Sequence, residues 1–149
     1  MSANGGVPLV VPTDRFGELT VDPGDVIEFP DGVVGFAMVT RVIAVPVNDD
    51  GLFWWLQAVD DPRLAFLAVV PWAFFADYEP VLPADVQDRL GIDDADDAVV
   101  YCLVTIHDDP RRFTANLLGP VVVNRRRRLG RQVVLDADLP TRAELPSPQ

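Results

Sequence analysis

Lysine is absent from this chain of 149 residues, and all 12 of its bases are arginines. Schiff-base catalysis and the lysine of a phosphate loop are thereby excluded. Cysteine occurs once, as Cys102, and histidine once, as His107. A lone cysteine makes no internal disulfide and points to a reducing compartment. One Cys and one His also fall short of the four N/S ligands of a structural zinc site. The longest apolar stretch, 64–75, is interrupted by Pro71 and is too short to span a bilayer. Positions 1–6 lack a basic start followed by an apolar run, so no signal peptide is expected. No glycine-rich phosphate loop or nucleophile elbow occurs. These absences lead to the expectation of a cytoplasmic protein with no cofactor, no metal and no membrane partner.

What is abundant is acid and apolar surface. The formal net charge is -11, from 23 acids against 12 bases, and 49% of residues are hydrophobic. That is enough apolar material for one core, and the length is that of one domain. Five of the bases, Arg125, Arg126, Arg127, Arg128 and Arg131, fall within seven residues. The remainder then carries 7 bases against 23 acids. An acidic body repels nucleic acid and attracts basic partners.

Short strand-like segments follow one another, separated by turn residues. We read strands at 18–22, 26–29, 41–47, 53–59, 65–70, 98–106, 121–124 and 132–136. Two of these, 65–70 and 98–106, are almost wholly apolar, as strands covered on both faces are. One helix is punctuated clearly over 83–91. Pro83 suits its first turn, Asp85 its positive end and Gly91 its stop, and Val86 and Leu90 share a face. A further helical turn is read at 35–40. Asp60-Asp61-Pro62-Arg63 and Asp108-Asp109-Pro110-Arg111 are turns, since Asp before Pro initiates them. The fold class is therefore mostly β: a small, closed or nearly closed antiparallel β-barrel with one or two short helices. Residues 1–14 are read as an extension or edge strand, 15–139 as the single domain, and 140–149 as a flexible tail.

Candidate sites are few. The acid-dense Asp93-Asp94-Ala95-Asp96-Asp97 fails as a calcium loop, because its sixth and twelfth positions are Ala98 and Val104 where Gly and Glu are required. Cys102 and His107 could serve as a nucleophile and base, but a Cys within an apolar strand is ordinarily inert packing. Asp60 and Asp61 could do acid–base work, yet adjacent acids at a turn carry little specificity in so acidic a chain. The arginine turn, at the tip of a hairpin, is read as solvated or as meeting an acidic partner. The alternative is a finger for phosphate or single-stranded nucleic acid, supported by nearby aromatics. Trp54 and Trp55 are consecutive and must point to opposite faces of a strand. With Trp72, Phe74 and Phe75 they are candidate interface anchors as well as core residues. From the residues alone this is an acidic β domain that binds.

Five collinear stretches carry a resemblance. Trp55-Leu56-Gln57-Ala58-Val59-Asp60-Asp61-Pro62-Arg63-Leu64-Ala65-Phe66-Leu67 resembles the signature of the FliW flagellar assembly factor family. Ile27-Glu28-Phe29-Pro30-Asp31-Gly32-Val33-Val34-Gly35-Phe36 resembles its N-terminal element, and Asp77-Tyr78-Glu79-Pro80 its central acidic motif. Phe113-Thr114-Ala115-Asn116-Leu117-Leu118-Gly119-Pro120-Val121-Val122-Val123-Asn124 resembles its Asn-containing run, and Gly130-Arg131-Gln132-Val133-Val134-Leu135 its closing strand. The resemblance implies a compact β-barrel-like protein that is not an enzyme. It implies binding to flagellin and, when flagellin is absent, to the RNA-binding translational repressor CsrA, with no direct contact to nucleic acid. It implies protein-binding roles for Asp60, Asp61, Asp77, Tyr78, Glu79, Asn116 and Asn124. Beside that stands a structural reading: both asparagines suit turn backbone groups and Tyr78 suits packing with a bonded hydroxyl. The arginine turn is more basic than the family pattern, and the segments before Asp14 and after Leu139 have no counterpart in it.

Overall fold

The computed structural model describes residues 7–33, 35–108 and 111–145. Eleven strands lie among them: β1 (Leu9–Thr13), β2 (Gly17–Val21), β3 (Ile27–Glu28), β4 (Arg41–Pro46), β5 (Phe53–Ala58), β6 (Ala65–Val69), β7 (Ala98–Asp108), β8 (Arg111–Ala115), β9 (Val121–Asn124), β10 (Leu129–Gln132) and β11 (Ala143–Glu144). The α-helix among the described residues is α1 (Ala84–Leu90). It is built as its punctuation predicts. Pro83 sits at the N-cap, Asp85 lies in the first turn and Arg89 in the last, and Gly91 takes the left-handed conformation that ends it. No helix among the described residues is long and apolar enough to cross a membrane.

The main sheet runs β11-β8-β7-β6-β5-β4-β3-β10-β9, and β9 pairs again with β7. The ladder from β7 through β6, β5, β4, β3, β10 and β9 therefore returns on itself as a ring. Mostly antiparallel, the ring has one parallel junction, between β3 and β10, represented by the single pair Leu129–Glu28. Glu28 N–H donates to Arg128 O at 2.9 Å beside it. At this short seam Phe29 is buried against Gly130, where a Cβ would come within 2.7 Å of the ring.

The ring explains the apolar runs. Val42, Leu56, Ala58, Ala68, Tyr101, Val121 and Val123 point inward and form one cluster with Ile27 and Phe29. Their neighbours point outward and are covered as well. Val69, Val100, Cys102 and Val122 pack against Val86 and Leu90 of α1 and against Tyr78. On another side, Ile43 packs with Val11 under the β1–β2 ribbon. Strands buried on both faces have no polar face to alternate with, and all four residues of β9 are buried.

Several expectations are corrected. Residues 111–115, left without a strand, form β8, which pairs with the second half of β7. Two arginines open that strand and mask its pattern. The strand expected at 132–136 lies at Leu129–Gln132. Val133 and Leu135 are buried, but their N–H groups donate to Pro120 and Leu118, in a looped segment outside the ladder. Residues 35–40 form no helix: Phe36 bridges to Val33, and the Val39 N–H closes a single turn onto Phe36 O at 2.9 Å. The second Asp-Pro turn falls partly outside the described residues. Apart from these corrections, Leu9–Thr13 is a strand paired with β2, one of the two alternatives read for residues 1–14, and Ala143 and Glu144 pair with Ala115 and Thr114.

Gly130→Ala is expected to lower stability by about 1–3 kcal/mol through overpacking against Phe29. Val134→Ala, at an exposed site, should stay within about 0.5 kcal/mol. Denaturant midpoints of the two variants check the contrast.

Candidate functional site

The turn between β5 and β6 carries two of the expected interface acids. Gln57 is fully buried beneath it, and its Nε2 donates to Ala58 O and Leu64 O, both at 3.0 Å. That tie sets the turn's shape. Asp61 Oδ1 accepts from the Arg63 N–H at 3.0 Å, an Asx-type turn through Pro62. Asp60 is held in a fork by Arg41, with Nε to Oδ2 at 3.0 Å and Nη2 on Oδ1. The hydrogen bond from Arg41 holds the Asp60 carboxyl below its ordinary range, and the Arg63 N–H does the same for Asp61. A general acid at neutral pH needs the opposite shift. The pair is two fixed negative charges, with Met38 (80% exposed) beside them in a shallow depression.

Cys102 and His107 do not converge. Five residues apart on β7, they face opposite sides of the strand. Cys102 is wholly buried, and loss of solvent pushes its thiol up to about 11 despite the opposing influence of the neighbouring Tyr78 hydroxyl. His107 Nε2 lies 3.0 Å from Thr114 Oγ1 across the β7–β8 ladder. Among the described residues no three His, Cys, Asp or Glu side chains are placed to hold a metal. In the acid-dense loop, Asp94 caps the following 3-10 turn and Asp97 pairs with Arg126 at 3.0 Å.

The arginine turn forms the β9–β10 hairpin tip, as expected; Arg125, Arg126 and Arg127 are exposed and Arg128 is half-buried. Asn124 Oδ1 accepts from the Arg126 and Arg127 N–H groups at 3.0 and 3.2 Å. Arg126 reaches Asp97, Arg128 donates to Asp25 O at 2.9 Å, and Arg131 lies 3.3 Å from Asp31. Arg128 holds a left-handed backbone, φ 52°.

Both asparagines are organisers. Asn116 Oδ1 accepts from Leu118 and Gly119 N–H at 3.1 and 2.9 Å, shaping the loop that separates β8 from β9. Asn124 is fully buried, and its Nδ2 donates to Leu90 O and Gly91 O at 2.8 and 3.1 Å, fastening α1 to the ring. Tyr78 is buried, and its hydroxyl donates to Leu117 O at 2.6 Å. Asp77 and Glu79, on either side of it, are exposed.

The aromatics divide. Trp54 packs edge-on to Tyr101 at the ring's core, and its N–H donates to Gly51 O. Trp55, on the other face, lies under Arg15, whose guanidinium is 3.8 Å from the ring centroid. Phe53 and Phe74 meet edge to face. Trp72 is 44% exposed, yet its N–H is fixed on Tyr78 O at 2.8 Å. It stands at one end of a cleft of about 580 Å3 between the 79–83 segment and the start of β7. Val81, Leu82, Ile92, Ala98 and Val100 line the cleft, with Glu79, Asp93 and Asp94 at its rim. Val81 is 82% exposed. The cleft has no local signature beyond the Pro-Val-Leu-Pro run at 80–83, since α1 intervenes between its two walls and neither wall has an alternating pattern of its own.

A family model described as "FliW protein" matches residues 10–145. The chain belongs to the FliW family. The flagellar assembly factor FliW of Moorella thermoacetica is 46% identical over 127 residues, covering 85% of this chain and 80% of that one. The flagellar assembly factor FliW of Geobacter sulfurreducens is 39% identical over 126 residues, covering 85% and 79%. A crystal structure of the flagellar assembly factor FliW superposes with a TM-score of 0.82 at 28% identity, covering 91% of this chain and 96% of that one. The mostly β, ring-like fold is thus the family's fold, and the family is one of flagellar assembly factors.

Two measurements check this geometry. Asn124→Ala removes four hydrogen bonds to backbone groups, one buried and three part-buried, and should cost about 2–3 kcal/mol in chemical denaturation. The Cys102 thiol should resist a chromogenic disulfide reagent at pH 8 in the native protein and react at once in denaturant. Its pKa is raised in the fold, so the stability it contributes is present below pH 9.0 and is lost as pH rises towards about 11.

Proposed function

We propose that this protein is a cytoplasmic flagellar assembly factor that binds flagellin and antagonises the translational repressor CsrA. Flagellin export then frees the protein to bind CsrA, which relieves repression of flagellin synthesis. The protein acts by binding and not by catalysis. Membership of the FliW family across residues 10–145 carries this reading. A net charge of -11 supports it, because an RNA-binding repressor is basic and opposite charge speeds and selects the encounter. Asp60, Asp61, Asp77 and Glu79 are the side chains proposed to meet partners. Tyr78, Asn116 and Asn124 contribute by holding the backbone beneath those surfaces. The acidic body makes nucleic acid an unfavourable direct ligand, and within the arginine turn Arg126 and Arg128 are engaged by Asp97 and the Asp25 carbonyl.

Calorimetry with purified flagellin and CsrA from the same organism tests the reading. Binding to each is expected, with prior addition of flagellin reducing the apparent affinity for CsrA. No heat with either partner well above micromolar concentration would sink it. Asp60→Asn with Asp77→Asn should slow association with CsrA and flatten its salt dependence, leaving the thermal midpoint nearly unchanged.

A further inference from the structure

We infer that the cleft beside Trp72 is a docking groove for an amphipathic helix whose apolar stripe is flanked by lysine or arginine. The inference rests on the reading of this chain as a protein-binding protein, but not on which proteins those are.

The floor is apolar and continuous with the core. Leu82, Ile92, Ala98 and Val100 form it, and Val100 packs in the cluster beneath α1. Trp72 and Val81 stand above that floor with much of their surface in water. Leaving such apolar surface exposed is unfavourable unless something covers it. A large aromatic ring next to an aliphatic side chain is the usual composition of an interface anchor.

The groove is already formed in the free protein. The Trp72 N–H is fixed on Tyr78 O at 2.8 Å, and the Tyr78 hydroxyl is fixed on Leu117 O at 2.6 Å. Gln87 Nε2 donates to Leu82 O at 2.9 Å, tying the wall to α1. Pro80 and Pro83 stiffen the same wall. A binder therefore orders little of this surface on arrival, which favours affinity.

The rim sets the charge of the occupant. Glu79, Asp93 and Asp94 line the mouth and are exposed, and no arginine lines the cleft. A partner with basic residues beside its apolar stripe is matched, while one with acids there is repelled. The backbone sets the occupant's conformation. Pro80 and Pro83 carry no N–H, so the wall they flank offers a poor ladder for an added strand. A helix brings its own backbone hydrogen bonds and needs only side-chain contacts, so it fits a groove with one proline-flanked wall.

The test uses the full chain, isotope-labelled, and a synthetic peptide of about 16 residues with leucines at i, i+3, i+4 and i+7 and lysines between. Amide shifts are expected at Trp72, Glu79, Val81, Ile92 and Ala98, saturating below about 1 mM. A peptide of the same composition in scrambled order should bind at least tenfold more weakly. A peptide with glutamate for lysine should not bind. The double variant Glu79→Lys/Asp93→Lys should weaken the lysine peptide at least tenfold, and Val81→Ser several-fold. All three positions are exposed, so the variants should keep the native thermal midpoint. The inference is overturned by shifts that map elsewhere, by equal binding of the scrambled peptide, by an unaffected double variant, or by no binding up to about 1 mM. Peptide binding in the groove alongside silent calorimetry with flagellin and CsrA would leave this inference standing and the proposed partners wrong. The reverse pattern would do the opposite.

Discussion

The pairing of Ala98–Tyr101 with Val121–Asn124 is the contact on which the other parts depend. Without it the sheet is an open ribbon with its apolar inner face in water. With it, Val121, Val123 and Tyr101 join Val42, Leu56 and Ala68 in one interior. The same closure turns Val100, Cys102 and Val122 outward together, which makes the apolar seat that α1 and Tyr78 cover. Asn124 ends that ladder and is fully buried, so its amide must find partners inside. It finds them in the last carbonyls of α1 and in the first amides of the arginine turn. Helix, hairpin tip and ring closure are thereby mechanically one unit.

Charge is arranged in two different ways on this frame. The arginines of the β9–β10 turn are drawn back onto Asp97 and the carbonyl of Asp25. Asp60 and Asp61 are held by Arg41 and Arg63 on their turn, while Asp77, Glu79, Asp93 and Asp94 stand exposed. Groups that would otherwise invite a catalytic reading are pushed away from reactivity. The Asp60 and Asp61 carboxyls are lowered by hydrogen bonds, and the Cys102 thiol is raised by burial.

Much of the fold was legible because its signals are local. The strand at 121–124 and the helix between Pro83 and Gly91 lie where apolar runs and cap residues put them. The two expected roles of Trp54 and Trp55 follow from period-two alternation alone, and one does sit in the core while the other meets Arg15 at the surface. The failures have a common cause. Strand β8 opens with arginines, and its pairing is decided by β7, not by its own pattern. Val133 and Leu135 look like strand residues and are buried like them, yet they hydrogen-bond a loop. In both places tertiary pairing overrides local preference.

The sequence by itself determined the class of the molecule: an acidic, mostly β chain without lysine that carries the FliW motifs. Composition and short-range periodicity suffice for that, because they depend only on neighbours along the chain. Only the tertiary structure decided which of those motif residues face outward. Tyr78 and Asn124 are interior fasteners, while Asp60, Asp77 and Glu79 are surface charges. It alone assembled the cleft, whose walls come from 72–82 and 92–100. Those segments are adjacent only because β7 is held in the ring and α1 is pinned to it, a condition set by contacts far apart in sequence.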